Sequence, residues 1–302
     1  MTKNYIIAPT HDVDSLVSHA VGEIWQPGVE HRSLEYKAEN IPFEDLSVRG
    51  DQHIVISDLG NSDSDTNARM VELLGNLRVA GTIVDFYDQH NWPIKKTGIA
   101  FDTYISRDDI SSAEIMAREL VPDNQIAMYL AGLATLDDYN RPNPQSENLK
   151  DIVNSGFPSD RLYLELARLE QSELILSHDA QTALSSYRHK RDEALETLAV
   201  SYKTHETPIG TFATGFAPAI LYMKPGHRAI RDDHPNENMI CFYGDLQNVT
   251  FRTQTPEQMT RLLSIFKGGG RDTEGGFDPG AVVNEENYTD VRDDVIDKIR
   301  TL

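Results

Sequence analysis

The chain has 302 residues, 39% apolar and 8% aromatic, with one cysteine, Cys241. That length supports one large domain or two ordinary ones around a real core, and a lone cysteine excludes an intramolecular disulfide and offers nothing toward a thiolate metal cluster. Its 48 acidic against 28 basic residues give a formal net charge of −20, which disfavours a broad basic face for long nucleic acid and leaves room for a short anion held by a few local cations.

Only 10 of the basic residues are lysines. An acidic, lysine-poor surface fits a high-salt cytoplasm, where screening removes self-repulsion, and equally many ordinary acidic proteins. No run has the length of a secretory signal or a membrane span, so a cytoplasmic protein with no membrane partner is expected.

In chain order, the apolar run NYIIAPT (4–10) predicts a first strand. It leads into His11, Asp12 and Asp14, and the two-residue spacing places both carboxylates on one face of an extended strand end. A stretch of helical character follows. Like charges this close raise each other's pKa unless a cation lies between them, and a divalent metal is the simplest such cation. HIVISDLG (53–60) predicts a strand ending at Asp58. TNARMVELLGNLRVA (66–80) has helical apolar spacing at Met70, Leu73, Leu74 and Leu77. GTIVDFYDQH (81–90) predicts a third strand, ending in Asp88, Gln89 and His90. SSAEIMARELV (111–121) opens with a capping-box pattern, Ser111 to Glu114. Strands alternating with helices predict a mostly parallel sheet, with ligands bound outside its carboxyl ends.

The Pro/Asn-rich stretch at 136–150 reads as a loop, and 160–176 and 180–203 read as helices. From about 205 short strand-like pieces and glycines take over, with one helix at 255–267. The fold class is therefore α/β, a parallel-sheet amino-terminal domain with a smaller α/β carboxyl-terminal domain. The expected boundaries are 1–180, a connecting helix at 181–203, and 204–302.

Carboxylates at several strand ends, with one or two imidazoles, suit Mn²⁺ or Mg²⁺ better than a structural zinc. Any single aspartate there could instead cap the next helix. Gly268, Gly269 and Gly270, followed by Arg271, could form an anion nest with a guanidinium beside it, or a flexible connector. Ser111 and Ser112 read as helix caps rather than nucleophiles. Trp25, Trp92 and Tyr87 read as core rather than base-stacking residues. The histidines of HETPIG and KPGHRAIRDDHP read as exposed loop.

Taken together, HDVDSLVS, VISDLG, DFYDQHN, AGLATLDD and GGGR resemble, in order, the motifs of the DHH phosphoesterase superfamily, and the resemblance covers nearly the whole chain. That family includes RecJ-type exonucleases, small oligoribonucleases, cyclic-dinucleotide phosphodiesterases and family II inorganic pyrophosphatases. The resemblance implies metal ligands at His11, Asp12, Asp14, Asp58, Gln89, His90 and Asp137 or Asp138, with Asp58 bridging two ions. It implies catalytic roles for Asp58, Asp88 and His90. Substrate contacts would come from His90, Arg252, Gly268, Gly269, Gly270 and Arg271.

Family histidines sit two or four residues before the first aspartate, whereas His11 is adjacent to Asp12. Gln89 stands where the family has its first histidine, and a neutral amide oxygen is the weaker ligand. Arg271 replaces the histidine that usually follows the glycines. The implied activity is hydrolysis of phosphodiester bonds in short oligonucleotides or small, including cyclic, nucleotides with one or two Mn²⁺ or Mg²⁺ ions. Pyrophosphate or polyphosphate hydrolysis, and a weakened binding or scaffold protein, are the alternatives. A homodimer is compatible with all three.

Overall fold

The structure is a computed structural model and describes residues 3–33, 52–59, 64–90, 101–141, 143–221, 224–270 and 272–302. The chain forms two compact units, Met1–Tyr187 and Arg188–Leu302.

The first unit carries a five-stranded, all-parallel sheet in the order β2-β1-β3-β4-β5, built from β1 (Lys3–Ala8), β2 (Glu30–Ser33), β3 (Gln52–Ser57), β4 (Ile83–Asp88) and β5 (Thr103–Ser106). The period of two sorts the strand residues between two core layers. Ile6 and Val55 face one layer; Tyr5, Ile7, Ile54, Ile56, Val84 and Phe86 face the other. Covered on both faces, the central strands read as near-continuous apolar runs, as parallel strands do. Each fully buried side chain of this size contributes roughly 1.5–3 kcal/mol. One layer is completed by α1 (Val13–Trp25), α3 (Ser112–Leu120), α4 (Gln125–Asp138), α5 (Pro144–Asn154) and α6 (Ser159–Ala167), the other by Leu74 and Leu77 of α2 (Ser64–Val79). A Cβ on Gly22 would lie 2.3 Å from Ile6, so α1 lies tight on β1.

Several expectations change here. The first strand stops at Ala8, and Asp12 is the N-cap of α1, accepting the Ser15 N–H at 2.8 Å. Asp14 therefore lies in the first helical turn, not on a strand end. The stretch 136–150 is largely helix rather than loop, holding the end of α4 and most of α5 on either side of a short turn. Its Asn-Pro pair starts a helix: Asn143 caps it, accepting from Gln145 and Ser146, with Pro144 in the first turn, where a missing N–H costs nothing. The helix expected over 160–176 ends at Ala167. Beyond it, side chains take over the backbone donors: Leu174 N–H donates to Gln145 and Ser177 N–H to Glu165. Ser111 caps α3, but the Glu114 carboxylate turns to Arg118 and Thr135 instead of closing a capping box.

The helix α7 (His178–Val200) contains the division between the units. The second unit has a mixed six-stranded sheet in the order β10-β11-β9-β8-β7-β6. Its strands are β6 (Lys203–Thr207), β7 (Gly210–Ala217), β8 (Asn238–Tyr243), β9 (Val249–Arg252), β10 (Gly269–Gly270) and β11 (Glu274–Phe277), with only β7 and β8 parallel. α9 (Pro256–Phe266) and α10 (Tyr288–Arg300) cover one face; α8 (Lys224–Asp233) and the end of α7 cover the other. The segment KPGHRAIRDDHP is thus largely helix rather than exposed loop, and His227 within it is buried. Among the described residues no helix is long and apolar enough to cross a membrane.

Candidate metal centre

Two neighbouring parallel strands deliver the centre of the site. β3 ends at Ser57, and Asp58 follows with φ of +52°, a left-handed backbone uncommon outside glycine. Such a conformation persists only where its surroundings over-determine it. Here the Asp58 N–H donates to the Tyr87 carbonyl at 3.3 Å, and its buried carboxylate accepts from the Ser15 hydroxyl at 2.5 Å. β4 ends on Asp88, which is fully buried. One Asp88 oxygen accepts the Leu59 N–H at 3.2 Å; the other accepts the His90 N–H and meets His90 Nδ1, both at 2.8 Å. His90 Nδ1 lies 3.8 Å from Asp58 Oδ1. Among the described residues, Asp58, Asp88 and His90 form a cluster whose ligating atoms all lie within 4.8 Å of one another.

Asp14 joins them from the first turn of α1. Buried, it accepts the N–H groups of Ser112 at 2.9 Å and Ala113 at 2.8 Å, so it also closes the amino terminus of α3. Burial pushes the Asp14 carboxyl up to about 7, opposed by the Ala113 N–H and aided by the nearby Asp12 and Asp138 charges. Burial also raises Asp58 well above the usual carboxylate range, with Asp14 and Asp12 adding to it. His90 is pushed the opposite way in charge terms: its hydrogen bond to Asp88 raises its pKa and favours the cation.

These buried carboxylates repel one another, and what would relieve them is positive charge. The donor set fits a divalent ion: hard carboxylate oxygens with one imidazole suit Mn²⁺ or Mg²⁺.

The remaining sequence-derived ligands separate. Gln89 is in the cluster, but its carbonyl accepts from the Ser112 hydroxyl while its NH₂ donates toward Asp58 at 3.4 Å and Asp138 at 3.5 Å. It therefore faces the carboxylates through its NH₂. Asp138 lies outside the three-residue cluster, beside Gln89, where its charge is felt at Asp14 and His90. Asp137, one residue earlier on the turning helix, pairs instead with Lys150 on α5 at 2.7 Å. Asp12 is half-exposed at its cap, and His11, half-exposed, lies 3.9 Å from it. His11 is outside the three-residue cluster.

In the second unit, β11 brings the other candidates together, pairing with β9 at Glu274↔Arg252 and with β10 at Gly270↔Gly275. Gly269 and Gly270 form an extended edge strand, which offers outward N–H groups singly rather than the converging set of a nest. Close packing accounts for two glycines: a Cβ on Gly268 would lie 2.1 Å from the Gly276 carbonyl oxygen, and one on Gly270 2.4 Å from that of Glu274. Gly269 has open space. Arg252 Nε–H donates to His227 at 2.6 Å, and its Nη1 pairs with Glu274. Arg271 and Trp92 lie outside the described residues. Tyr87 is core, and Trp25 packs against the core with its ring edge-on to His53.

Ser15, Ser112 and His227 are polar residues that sequence reasoning missed as site groups. Ser112 was read only as a helix cap. Ser15 and Ser112 reach partners 43 and 23 residues away, and His227 reaches one 25 away, so no local pattern marks them.

No protein-family model matches the sequence, and no curated protein matches it. Solved structures do. The chain is similar to a pGpG-specific phosphodiesterase, PggH from Vibrio cholerae, at 13% identity and a TM-score of 0.58, covering 99% of both chains. It is also similar to the DHH domain of a member of a family of ribosomal proteins, at 14% identity and a TM-score of 0.60, covering 99% of this chain and 87% of that one. The chain shares the fold of these two structures over nearly its whole length.

Proposed function

We propose that this protein is a divalent-metal-dependent phosphoesterase acting on phosphodiester bonds in short oligonucleotides or small nucleotides. The observation that carries the reading is the buried carboxylate cluster with His90 at the strand ends of a DHH-type sheet. The fold it shares with PggH, whose substrate is pGpG, makes a dinucleotide the first substrate to try.

Asp58, Asp88 and His90 would hold the ion, with Asp14 and Asp138 beside them. When bound, Mn²⁺ or Mg²⁺ supplies Lewis acidity at a phosphoryl oxygen and lowers the pKa of water. The protein's own groups do the rest. Ser15 and Leu59 fix the carboxylates of Asp58 and Asp88 by hydrogen bonds. Asp88 holds the His90 ring in one orientation; without metal it favours the protonated form, suited to contacting a phosphate oxygen, and as a metal ligand the ring would be neutral. Arg252 is the guanidinium suited to gripping a substrate phosphate. The acidic surface favours short substrates over long polyanions.

The test is a panel of substrates with Mn²⁺, Mg²⁺ or EDTA, at low and high salt: pGpG, a cyclic dinucleotide, long single-stranded DNA and pyrophosphate. Metal-dependent cleavage of pGpG, with the long strand resistant, is expected. Preference for pyrophosphate would move the substrate class. Binding of pGpG without cleavage in any metal would favour the scaffold reading, which the donor orientation of Gln89 supports.

A further inference from the structure

Arg252 is seated by a histidine from another element. Thr250 and Arg252 are two residues apart on β9, so their side chains share one face of the sheet. The ring of His227, from α8, spans both: Nδ1 meets Arg252 Nε at 2.6 Å, and Nε2 meets the Thr250 hydroxyl. A guanidinium N–H can only donate, so Nδ1 must carry the lone pair and Nε2 the proton. The two contacts thus fix one neutral tautomer. His227 is only 6% exposed, and α8 is held close by Gly226, where a Cβ would lie 3.0 Å from the Leu221 carbonyl and 3.2 Å from Cys241 Sγ. Burial, with the Arg252 charge adding to it, lowers the His227 pKa to about 3, so the acceptor state holds across the neutral range.

The two partners of Arg252 differ in kind. Glu274 is an anion, about half exposed, on the facing strand. It neutralises the guanidinium and competes with any phosphate. His227 orients the guanidinium through Nε without neutralising it. We infer that His227 is a positioning residue for anion binding, holding Arg252 by Nε so that its Nη end meets a nucleotide phosphate in exchange for Glu274. This rests on the reading of Arg252 as a substrate contact.

The test measures binding of fluorescently labelled pGpG to the full chain in EDTA, where turnover is absent. His227→Asn places an amide oxygen where Nδ1 stands, whereas His227→Gln places its amide near Nε2 and takes the acceptor away from Arg252. Both are polar and smaller than or similar to histidine, and thermal unfolding verifies that each folds. His227→Asn should keep the Kd within about threefold of wild type, and His227→Gln should raise it about tenfold, the scale of one charge-assisted hydrogen bond. In an Arg252→Ala background, His227→Gln should add nothing, because its effect runs through that arginine. Equal Kd values for both histidine variants and wild type, with Arg252→Ala weakened, would overturn the role of His227 and leave Arg252 in place. Equal weakening by both variants, or additivity with Arg252→Ala, would make the ring mere packing and also overturn it. An Arg252→Ala chain that binds like wild type, or a wild-type chain that does not bind pGpG, would overturn the substrate role of Arg252 and this inference with it.

Discussion

The strand ends of the first unit and the end of β9 in the second both gather charge, the first out of water and the second at a half-exposed surface, and they balance it in opposite ways. Around Asp14 and Asp58 the strongest electrostatic neighbours are other carboxylates, and the hydrogen bonds come from hydroxyls and amides. That cluster is complete only with an imported cation or with protons. Around Arg252 the fold has already supplied an anion, Glu274, and a neutral acceptor, His227. That cluster is complete by itself and binds a ligand only by exchange. A site short of charge imports an ion; a site already balanced swaps a partner.

The largest expected effect falls on the unbalanced side. Asp58→Ala removes the carboxylate common to the cluster of three and to the Ser15 and Gln89 contacts. Metal catalysis contributes several kcal/mol, so turnover of pGpG in Mn²⁺ should fall by on the order of a thousandfold. Circular dichroism should remain native. Near-native turnover would erase the contrast between the two clusters.

Next comes pH, where Asp14 and His227 should contribute with opposite sign. Without metal, the folded Asp14 pKa of about 7 lies above its ordinary value of 3.8. Its contribution is full below 3.8 and is lost as pH rises through 7. His227 runs the other way: its folded pKa of about 3 lies below its ordinary 6.5. Its contribution is full above 6.5 and is lost as pH falls toward 3. Linkage makes each effect on the order of a few kcal/mol. Hydrogen exchange from pH 5 to 8 reads each contribution as the difference between the chain and its variant: rising pH should cost the first unit protection through Asp14 and restore it to the second through His227. Asp14→Asn should flatten the first trend and His227→Asn the second.

A smaller effect sharpens the same contrast. Gln89→His exchanges an amide that donates toward Asp58 and Asp138 for an imidazole that brings a lone pair. Mn²⁺ affinity should rise about tenfold, imidazole being the better ligand. Unchanged affinity in a folded variant would mean that Gln89 serves only to tie Ser112 to the carboxylates.

How much of this could be read from the sequence depended on whether local pattern or distant partners decide a residue's place. Asp58 and Asp88 were legible because β3 and β4 are buried apolar runs that stop at them, and parallel sheets place ligands at those ends. Asp14 was legible as a site residue but not as a helical one, since HDVDS fits a strand end as well as an N-cap. Choosing Asp138 over Asp137 needed the rotation of α4 relative to Lys150, which no short motif encodes. The Asn-Pro pair at 143–144 carries the same signal for a loop and for a helix start. His227 reads as loop in the sequence because its meaning lies in its contacts with Thr250 and Arg252 on β9.

The central claim is that the carboxylate cluster is completed by an imported divalent cation. Isothermal titration of the metal-free chain with Mn²⁺ at pH 7, repeated in buffers of different ionisation enthalpy, tests it most directly. Binding should release protons, because burial pushes the Asp14 carboxyl up to about 7 and so leaves it partly protonated there, and both binding and proton release should vanish in Asp58→Ala. Absence of Mn²⁺ binding, or binding of equal affinity in Asp58→Ala, would contradict the account.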